Sequence, residues 1–307
     1  MSKKPRPAKA ETRAGFVAIL GAPNAGKSTL LNRLIGQKIS ITSPKPQTTR
    51  MRVLGVLTEN GIQIGFIDTP GIFAPKRRLD EAMVAAAWHS IDHTDAVMLL
   101  VDAGAREANA KTDAIIAALK EKNRRVVLAL NKVDAIERQT LLPLTARLNL
   151  SGIVDDTFMI SALTGDGVDD LKKYLLGKMP PGPLLYPEDQ LSDLPSRLVA
   201  AEITREQLFR QLQHELPYAA TVIPDTWETK KDGSAVIRQT ILVERDSHKP
   251  IVLGKNGARI KSIGEAARKE IETLLGAKAH LFLDVKVDEK WQERAEIYKM
   301  FGLEGGN

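Results

Sequence analysis

Between Gly15 and about Met179, short runs of β-branched and aliphatic residues alternate with longer stretches whose apolar positions recur every three or four residues. The short runs at 16–20, 53–57, 62–67, 97–101, 126–130 and 157–160 predict strands, and the longer ones predict helices near 27–35, 79–92, 111–120, 141–149 and 168–176. Strand and helix in turn predict a mostly parallel six-stranded α/β sheet with helices on both faces. Asn60-Gly61, between the second and third runs, signals a two-residue hairpin, so one antiparallel pair is predicted at the sheet edge.

The periodicity then stops. Pro180 leads into a stretch over 181–199, interrupted by Pro181, Pro183, Pro187 and Pro195, that reads as a flexible, Pro-rich linker. Beyond it a helix near 200–214, strands at 221–228 and 235–244, a helix pair within 251–275 and a strand at 280–287 predict a smaller α+β unit. The organisation predicted is a tail over 1–14, an α/β domain over 15–180, the linker, and a second domain over 200–307. No internal repeat relates the two units.

Length and composition agree with this division. A chain of 307 residues, 43% hydrophobic and 27% charged, has material for about two cored domains and lies outside the disordered range. Without a single cysteine there is no disulfide framework, thiolate zinc site, iron–sulfur cluster or cysteine nucleophile. No apolar run approaches the roughly 18 residues that span a bilayer, which predicts a soluble chain. The net charge of +6 invites a nucleic-acid reading, but Lys3, Lys4, Arg6, Lys9 and Arg13 place most of it in the tail. The tail reads as a solvated end that lipid headgroups or RNA phosphates attract weakly.

The chemistry begins at Gly21-Ala22-Pro23-Asn24-Ala25-Gly26-Lys27-Ser28, followed by Thr29, which fits G-x-x-x-x-G-K-[ST] between a strand and a helix. Chance would supply the pattern in about 1% of chains this long. Glycines let consecutive backbone N–H groups curl around a phosphate chain, Lys27 adds charge at its end, and the Ser28 hydroxyl is placed for Mg²⁺. The bland alternative is a Gly-rich turn with no ligand. Asn131-Lys132-Val133-Asp134 emerges from a strand end, where α/β sheets hold ligands. A carboxylate at Asp134 can accept from guanine N1–H and its exocyclic amine together, whereas adenine would leave it desolvated and unpaired at a cost of about 1–3 kcal/mol. Alone, N-K-x-D is equally an Asx turn. Its position about a hundred residues after the phosphate loop and one strand before Ser161-Ala162-Leu163 makes the set resemble the GTPase superfamily.

Two further motifs complete the set. Asp68-Thr69-Pro70-Gly71 ends an apolar strand, so that Asp68 can reach the Mg²⁺ and the Gly71 amide the γ-phosphate. Thr48-Thr49-Arg50 lies in an aperiodic stretch that predicts a mobile loop; similarity to related loops selects Thr49 to close over the metal. Ser28, Thr49 and Asp68 are thus the expected metal set, and Lys27, Thr49, Asp68, Gly71 and Asn24 the expected catalytic one. Many GTPases place a glutamine after this glycine to orient water; here Ile72 cannot do so. The resemblance is to the translation-factor-like class with a hydrophobic residue at that point, in which Asn24 implies a K⁺ ion near the phosphates and slow intrinsic turnover. Arg50 is a rival source of charge, read more simply as a surface residue.

In the second unit Gly254-Lys255-Asn256-Gly257 sits between apolar residues and Arg259, Ile260 and Ile263. A bare GxxG is common, but two helices joined by this turn let glycine backbones approach a single-stranded nucleic acid. Lys249, Lys255, Arg259 and Lys261 occur here with no acid among them. A helix-turn-helix that merely packs is the structural alternative. The unit resembles a type II KH domain, and with 200–206 (AAEITRE) and Leu216-Pro217-Tyr218 the chain from about Gly15 to Glu304 resembles the Era family of bacterial GTPases. The resemblance implies GTP/GDP with Mg²⁺, binding of the 3′ end of 16S rRNA through Lys249, Gly254, Lys255, Asn256, Gly257, Arg259, Ile260 and Lys261, and action in small-subunit assembly. It also implies a monomeric cytoplasmic protein that binds no DNA, with peripheral contact at the inner membrane. The residues around Trp291 and Tyr298 read as an amphipathic helix packing on the sheet. Two other readings remain at this stage: a signalling GTPase whose small domain binds protein, and a constitutive RNA binder with a vestigial nucleotide site.

Overall fold

The computed structural model describes residues 12–75, 77–105 and 108–303. Most of the tail and the last four residues, on which part of the membrane reading and the end of the resemblance rest, lie outside the described residues. The first unit runs β1 (Arg13–Leu20), α1 (Lys27–Ile35), β2 (Val53–Glu59), β3 (Ile62–Asp68), α2 (Arg78–Asp92), β4 (Ala96–Asp102), α3 (Ala108–Glu121), β5 (Val126–Asn131), α4 (Arg138–Asn149), β6 (Val154–Met159) and α5 (Val168–Lys178). Its strands lie in the order β2-β3-β1-β4-β5-β6. Every pair is parallel except β2 with β3, which turns at Asn60 and Gly61, both at positive φ as the predicted hairpin requires.

The alternation along β4 explains why helices cover both faces. Met98 and Leu100 join Val17, Ile19 and Phe66 in a core closed by α1 and α5, while Val97, Leu99 and Val101 join Leu128 and Leu130 in a core closed by α2, α3 and α4. Strands with two buried faces end at their carboxyl edge in loops, and the phosphate, D-x-x-G and N-K-x-D motifs all stand on that edge.

The second unit runs α6 (Ser196–Gln211), β7 (Ala220–Thr229), β8 (Ala235–Val243), α7 (His248–Leu253), α8 (Ala258–Leu275), β9 (Ala279–Val287) and α9 (Ala295–Met300). β8 is central, antiparallel to β7 and parallel to β9. Ile237, Ile241 and Val243 pack beneath α6 and α8, and the predicted helix pair breaks at the GxxG turn.

Two expectations are corrected. The Pro-rich segment is tied down along the edge strand β2: the Val56 amide donates to Leu191 O at 2.9 Å and Ser192 Oγ to Leu54 O at 2.8 Å. Buried Gln63 fixes it too, accepting from the Leu185 and Tyr186 amides and donating to Tyr186 O. Proline cannot continue a ladder but tolerates an edge, so the segment covers an otherwise open strand. The stretch around Trp291 does not simply lie on the second sheet. Trp291, Ile297, Tyr298 and Phe301 share a core with Met51, Leu79 and Met83 of the first unit, and the Arg52 amide donates to Phe301 O. Among the described residues no helix is long and apolar enough to cross a membrane.

Candidate functional site

The turn between β1 and α1 holds Lys27 inside its own loop. The ammonium donates to Gly21 O and Ala22 O, each at 3.2 Å, and the side chain is only 6% exposed. Burial pushes its pKa down from 10.5 to about 8, against the opposing pull of Asp68. Asp68, at the end of β3, has no exposed surface, and burial raises its pKa while Lys27, Ser28 and Ser40 counteract. Ser28 Oγ donates to Asp68 Oδ2 at 2.7 Å and lies 2.9 Å from Thr49 Oγ1; Ser40 Oγ donates to the same Asp68 oxygen at 3.0 Å. Two hydroxyls and one carboxylate of the expected metal set therefore converge. Asp68 Oδ1 is buried without a partner among the described residues, and a hard cation with oxygen ligands would satisfy it. The donor chemistry fits magnesium.

Around this point a cavity of about 290 Å³ is lined by Pro23, Asn24, Gly26, Lys27, Ser28, Thr29, Thr49, Gly71 and Lys132 among others. Gly71 lies so close to the phosphate loop that a Cβ would meet the Pro23 backbone at 2.8 Å. Thr69 Oγ1 donates to Ile19 O and Pro70 is buried beside it. Asn24 donates through Nδ2 to Pro44 O at 3.0 Å, which puts it against the loop after α1. Ala22 and Ala25 are buried in the turn.

Asn131 ties three motifs together. Its Nδ2 donates to Ala25 O at 2.7 Å, and its Oδ1 accepts from the Ala162 amide at 2.9 Å. Ser161 is buried and accepts from the Thr164 amide, while Leu163 stands exposed at 71%. Lys132 is paired with Asp102 at 2.6 Å, and Asp134 is exposed. The phosphate loop and base motifs thus share one carboxyl edge, held by the buried amide of Asn131.

On the second unit, Lys249, Lys255, Asn256, Arg259 and Lys261 are exposed around the turn, with Gly254, Gly257 and Ile260 half-buried. Gly254, Asn256 and Gly257 all have positive φ, and Arg259 Nη1 donates back to Ile251 O. The turn presents backbone and positive charge together.

Arg50 is the site residue the sequence misplaces. It is 4% exposed, donates to the carbonyls of Pro217, Tyr218 and Ala220, and lies between the Phe209 and Trp291 rings at 5.5 and 5.4 Å. It faces the second unit, away from the phosphate cavity. Sequence reasoning also missed Arg205 and Glu202 on α6, Lys38 and Lys45 on the loop, and Ser40. Lys45 donates to Phe209 O and Leu212 O, and Lys38 pairs with Glu206 and Glu270.

The chain matches the family model described as 50S ribosome-binding GTPase over residues 16–132 and the KH domain model over residues 215–292. It is 52% identical over 297 residues to the GTPase Era of Bradyrhizobium diazoefficiens, covering 97% of this chain and 96% of that one. The chain belongs to the Era family of GTPases. Era of Mesorhizobium japonicum is 54% identical over 293 residues, covering 95% and 94%. Among solved structures, an Era variant of Aquifex aeolicus bound to GDP·AlF4⁻ is 40% identical with a TM-score of 0.88, covering 95% of this chain and 99% of that one. Era in complex with MgGDPNP and nucleotides 1506–1542 of 16S ribosomal RNA is 41% identical, with the same score and coverage. This Era-family chain is accordingly a GTPase with a carboxyl-terminal KH domain.

Proposed function

We propose that this GTPase uses its nucleotide state to control binding of the single-stranded 3′ end of 16S rRNA, and that it acts by this means in assembly of the small ribosomal subunit. The observation that carries the reading is the loop of Thr48, Thr49 and Arg50. Thr49 touches Ser28 at the phosphate site, while its two neighbours bond to the KH domain. A γ-phosphate that orders this loop also selects a placement of the RNA-binding unit. The domains assigned are residues 15–180 for GTP, with β1 reaching back to Arg13, the strap from 181, and 200–307 for RNA, with α6 reaching back to Ser196.

In this reading Gly21 to Thr29 cradle the phosphates, and Asn131, Lys132, Asp134 and Ser161 to Leu163 hold guanine. Ser28, Thr49 and Asp68 would hold magnesium, which when bound would offset phosphate charge. Lys27 keeps its proton against the terminal phosphates, Thr69 and Pro70 set the backbone, and the Gly71 amide donates to the γ-phosphate. Ile72 orients no water, so intrinsic turnover is slow. Asn24, held beside the Pro44 carbonyl, marks the place of a K⁺ ion; replacing Na⁺ by K⁺ raises the hydrolysis rate, and equal rates in the two salts reject the ion. The protein is placed in the cytoplasm as a monomer that binds no DNA, with peripheral membrane contact through its basic tail.

RNA is gripped at Lys249, Gly254, Lys255, Asn256, Gly257, Arg259, Ile260 and Lys261. Gly254 has φ +73°, and a Cβ there would lie 2.7 Å from Arg259 Cβ. Replacing Gly254 and Gly257 by Asp therefore strains the turn and adds like charge to the phosphate path. The expected outcome is loss of binding to a 3′-terminal 16S fragment with GTP hydrolysis within about twofold of the parent. Undiminished RNA binding by the double variant would overturn the reading.

A further inference from the structure

The loop around Thr49 is held more firmly from the second domain than from the nucleotide side. One residue before Thr49, the Thr48 carbonyl accepts from Arg205 Nη2 at 2.5 Å. One residue after it, Arg50 donates to two carbonyls of the turn before β7 and to the carbonyl of Ala220 at its start. Arg205 has no exposed surface, and Glu202 fixes its guanidinium through Nε at 2.7 Å and Nη2 at 2.5 Å. Its Nη1 has no acceptor among the described residues. Among the described residues the Thr48 carbonyl is therefore the one hydrogen-bond acceptor it has outside its own helix. A guanidinium buried this fully needs its partners in good geometry, so displacing Thr48 leaves a desolvated charge short of an acceptor. Lys45, from the same loop, caps the carbonyls at the end of α6, where the helix dipole favours a cation.

We propose that Arg205, on the first helix of the KH domain, is a positioning residue for GTP hydrolysis: by holding the Thr48 carbonyl it sets the Thr49 hydroxyl beside Ser28 and Asp68. The second domain thus supplies, within the same chain, the restraint that completes the magnesium-binding set. This rests on Thr49 as a magnesium ligand, and it adds the reciprocal direction of control. Whatever shifts the KH domain shifts metal affinity at the nucleotide, because a coupling free energy acts equally on both sites.

The test uses the full chain as wild type, Arg205→Ala, Arg205→Lys, Thr49→Ala, and the paired Glu202→Gln/Arg205→Met. The last removes both buried charges together and so keeps a fold that the single change could lose. Three quantities are measured: the Mg²⁺ concentration that half-maximally slows release of a fluorescent GTP analogue, kcat and KM for GTP, and hydrogen exchange of the amides over 48–50. Arg205→Ala and the paired variant raise the half-saturating Mg²⁺ about 10-fold or more, as loss of an outer-shell partner does, and lower kcat with little change in KM. Exchange over 48–50 quickens, Arg205→Lys restores part of the loss, and GDP affinity without Mg²⁺ is unchanged.

Wild-type Mg²⁺ dependence in the paired variant, with Thr49→Ala strongly shifted, overturns the role of Arg205 alone. If Thr49→Ala is also unshifted, the metal assignment falls and this inference with it. A fall in metal-free GDP affinity as large as the fall in kcat likewise overturns it, since the damage would then be general. None of these readouts uses RNA, so failure of the wild-type chain to bind RNA would reject the ribosomal reading and leave this result standing.

Discussion

Lys27 is buried among backbone carbonyls, and its pKa of about 8 lies well below the 10.5 of an exposed lysine. The unfolded chain holds this proton up to about pH 10.5, while the nucleotide-free fold releases it from about pH 8. Below pH 8 both states are protonated and the fold carries the full cost of the buried charge. That cost is relieved as pH rises toward 10.5, so this group makes the empty protein more stable over that window. Bound phosphates reverse the preference and keep Lys27 charged. Calorimetry of nucleotide binding at pH 8.5, in buffers of different ionisation enthalpy, is expected to register proton uptake; identical heats would contradict it. Asp134 gives a second prediction at this scale. If Asp134 holds guanine as proposed, Asp134→Asn loses the acceptor pair, and GTP affinity is expected to fall by about 1–3 kcal/mol, roughly 10- to 100-fold, in a nucleotide titration. Arg50→Met leaves the carbonyls of Pro217, Tyr218 and Ala220 without their donor, and thermal unfolding is expected to show a loss of about 2–4 kcal/mol.

At the scale of elements, legibility followed solvent contrast. Strands β1 to β5 are apolar runs between polar loops, and α1 and α8 each show one buried and one wet face, so all were read from the chain to within a few residues. β6 was harder because Asp155 and Asp156 open it at an exposed sheet edge. The helix α6 was legible, but the roles of its Glu202 and Arg205 were not, for a definite cause. Ala200 through Phe209 are all buried, because one side of the helix meets the KH sheet and the other meets the loop around Thr48. A charged helix buried on every side has no polar face to read, and its Glu202–Arg205 pair looks like surface until the Thr48 loop of the first domain is in place. The nucleotide motifs were legible because their spacing encodes backbone geometry; Arg50 was not, because its partners lie 167 or more residues away. The Pro-rich strap likewise hides its side-chain anchor, Gln63, in another strand. Gln63→Leu strips hydrogen bonds from Leu185 and Tyr186, and is expected to cost about 1–3 kcal/mol and to open 185–195 to limited proteolysis. Unchanged cleavage there would show that the strap holds without it.

Taken whole, the molecule joins its two domains at the parts a nucleotide would move. The loop of Thr48 to Arg50 touches α6 and the turn before β7, and the start of α2 shares a core with Trp291 and Phe301. Arg77 pairs with Glu244 across the same boundary. These contacts span both segments that flank the phosphate cavity, and in the proposed reading they carry a change there to the KH domain. Because the strap is bonded along β2, the motion expected is a re-seating of α6 and the carboxyl-terminal helix on the loop rather than free swinging on a tether. The most direct measurement is the affinity of the full chain for a 3′-terminal 16S rRNA fragment, loaded in turn with GDP and with a non-hydrolysable GTP analogue at one fixed salt concentration. Binding at least about 5-fold tighter with the analogue is predicted, the lower end of ordinary allosteric coupling. Equal affinity in the two states would contradict the account.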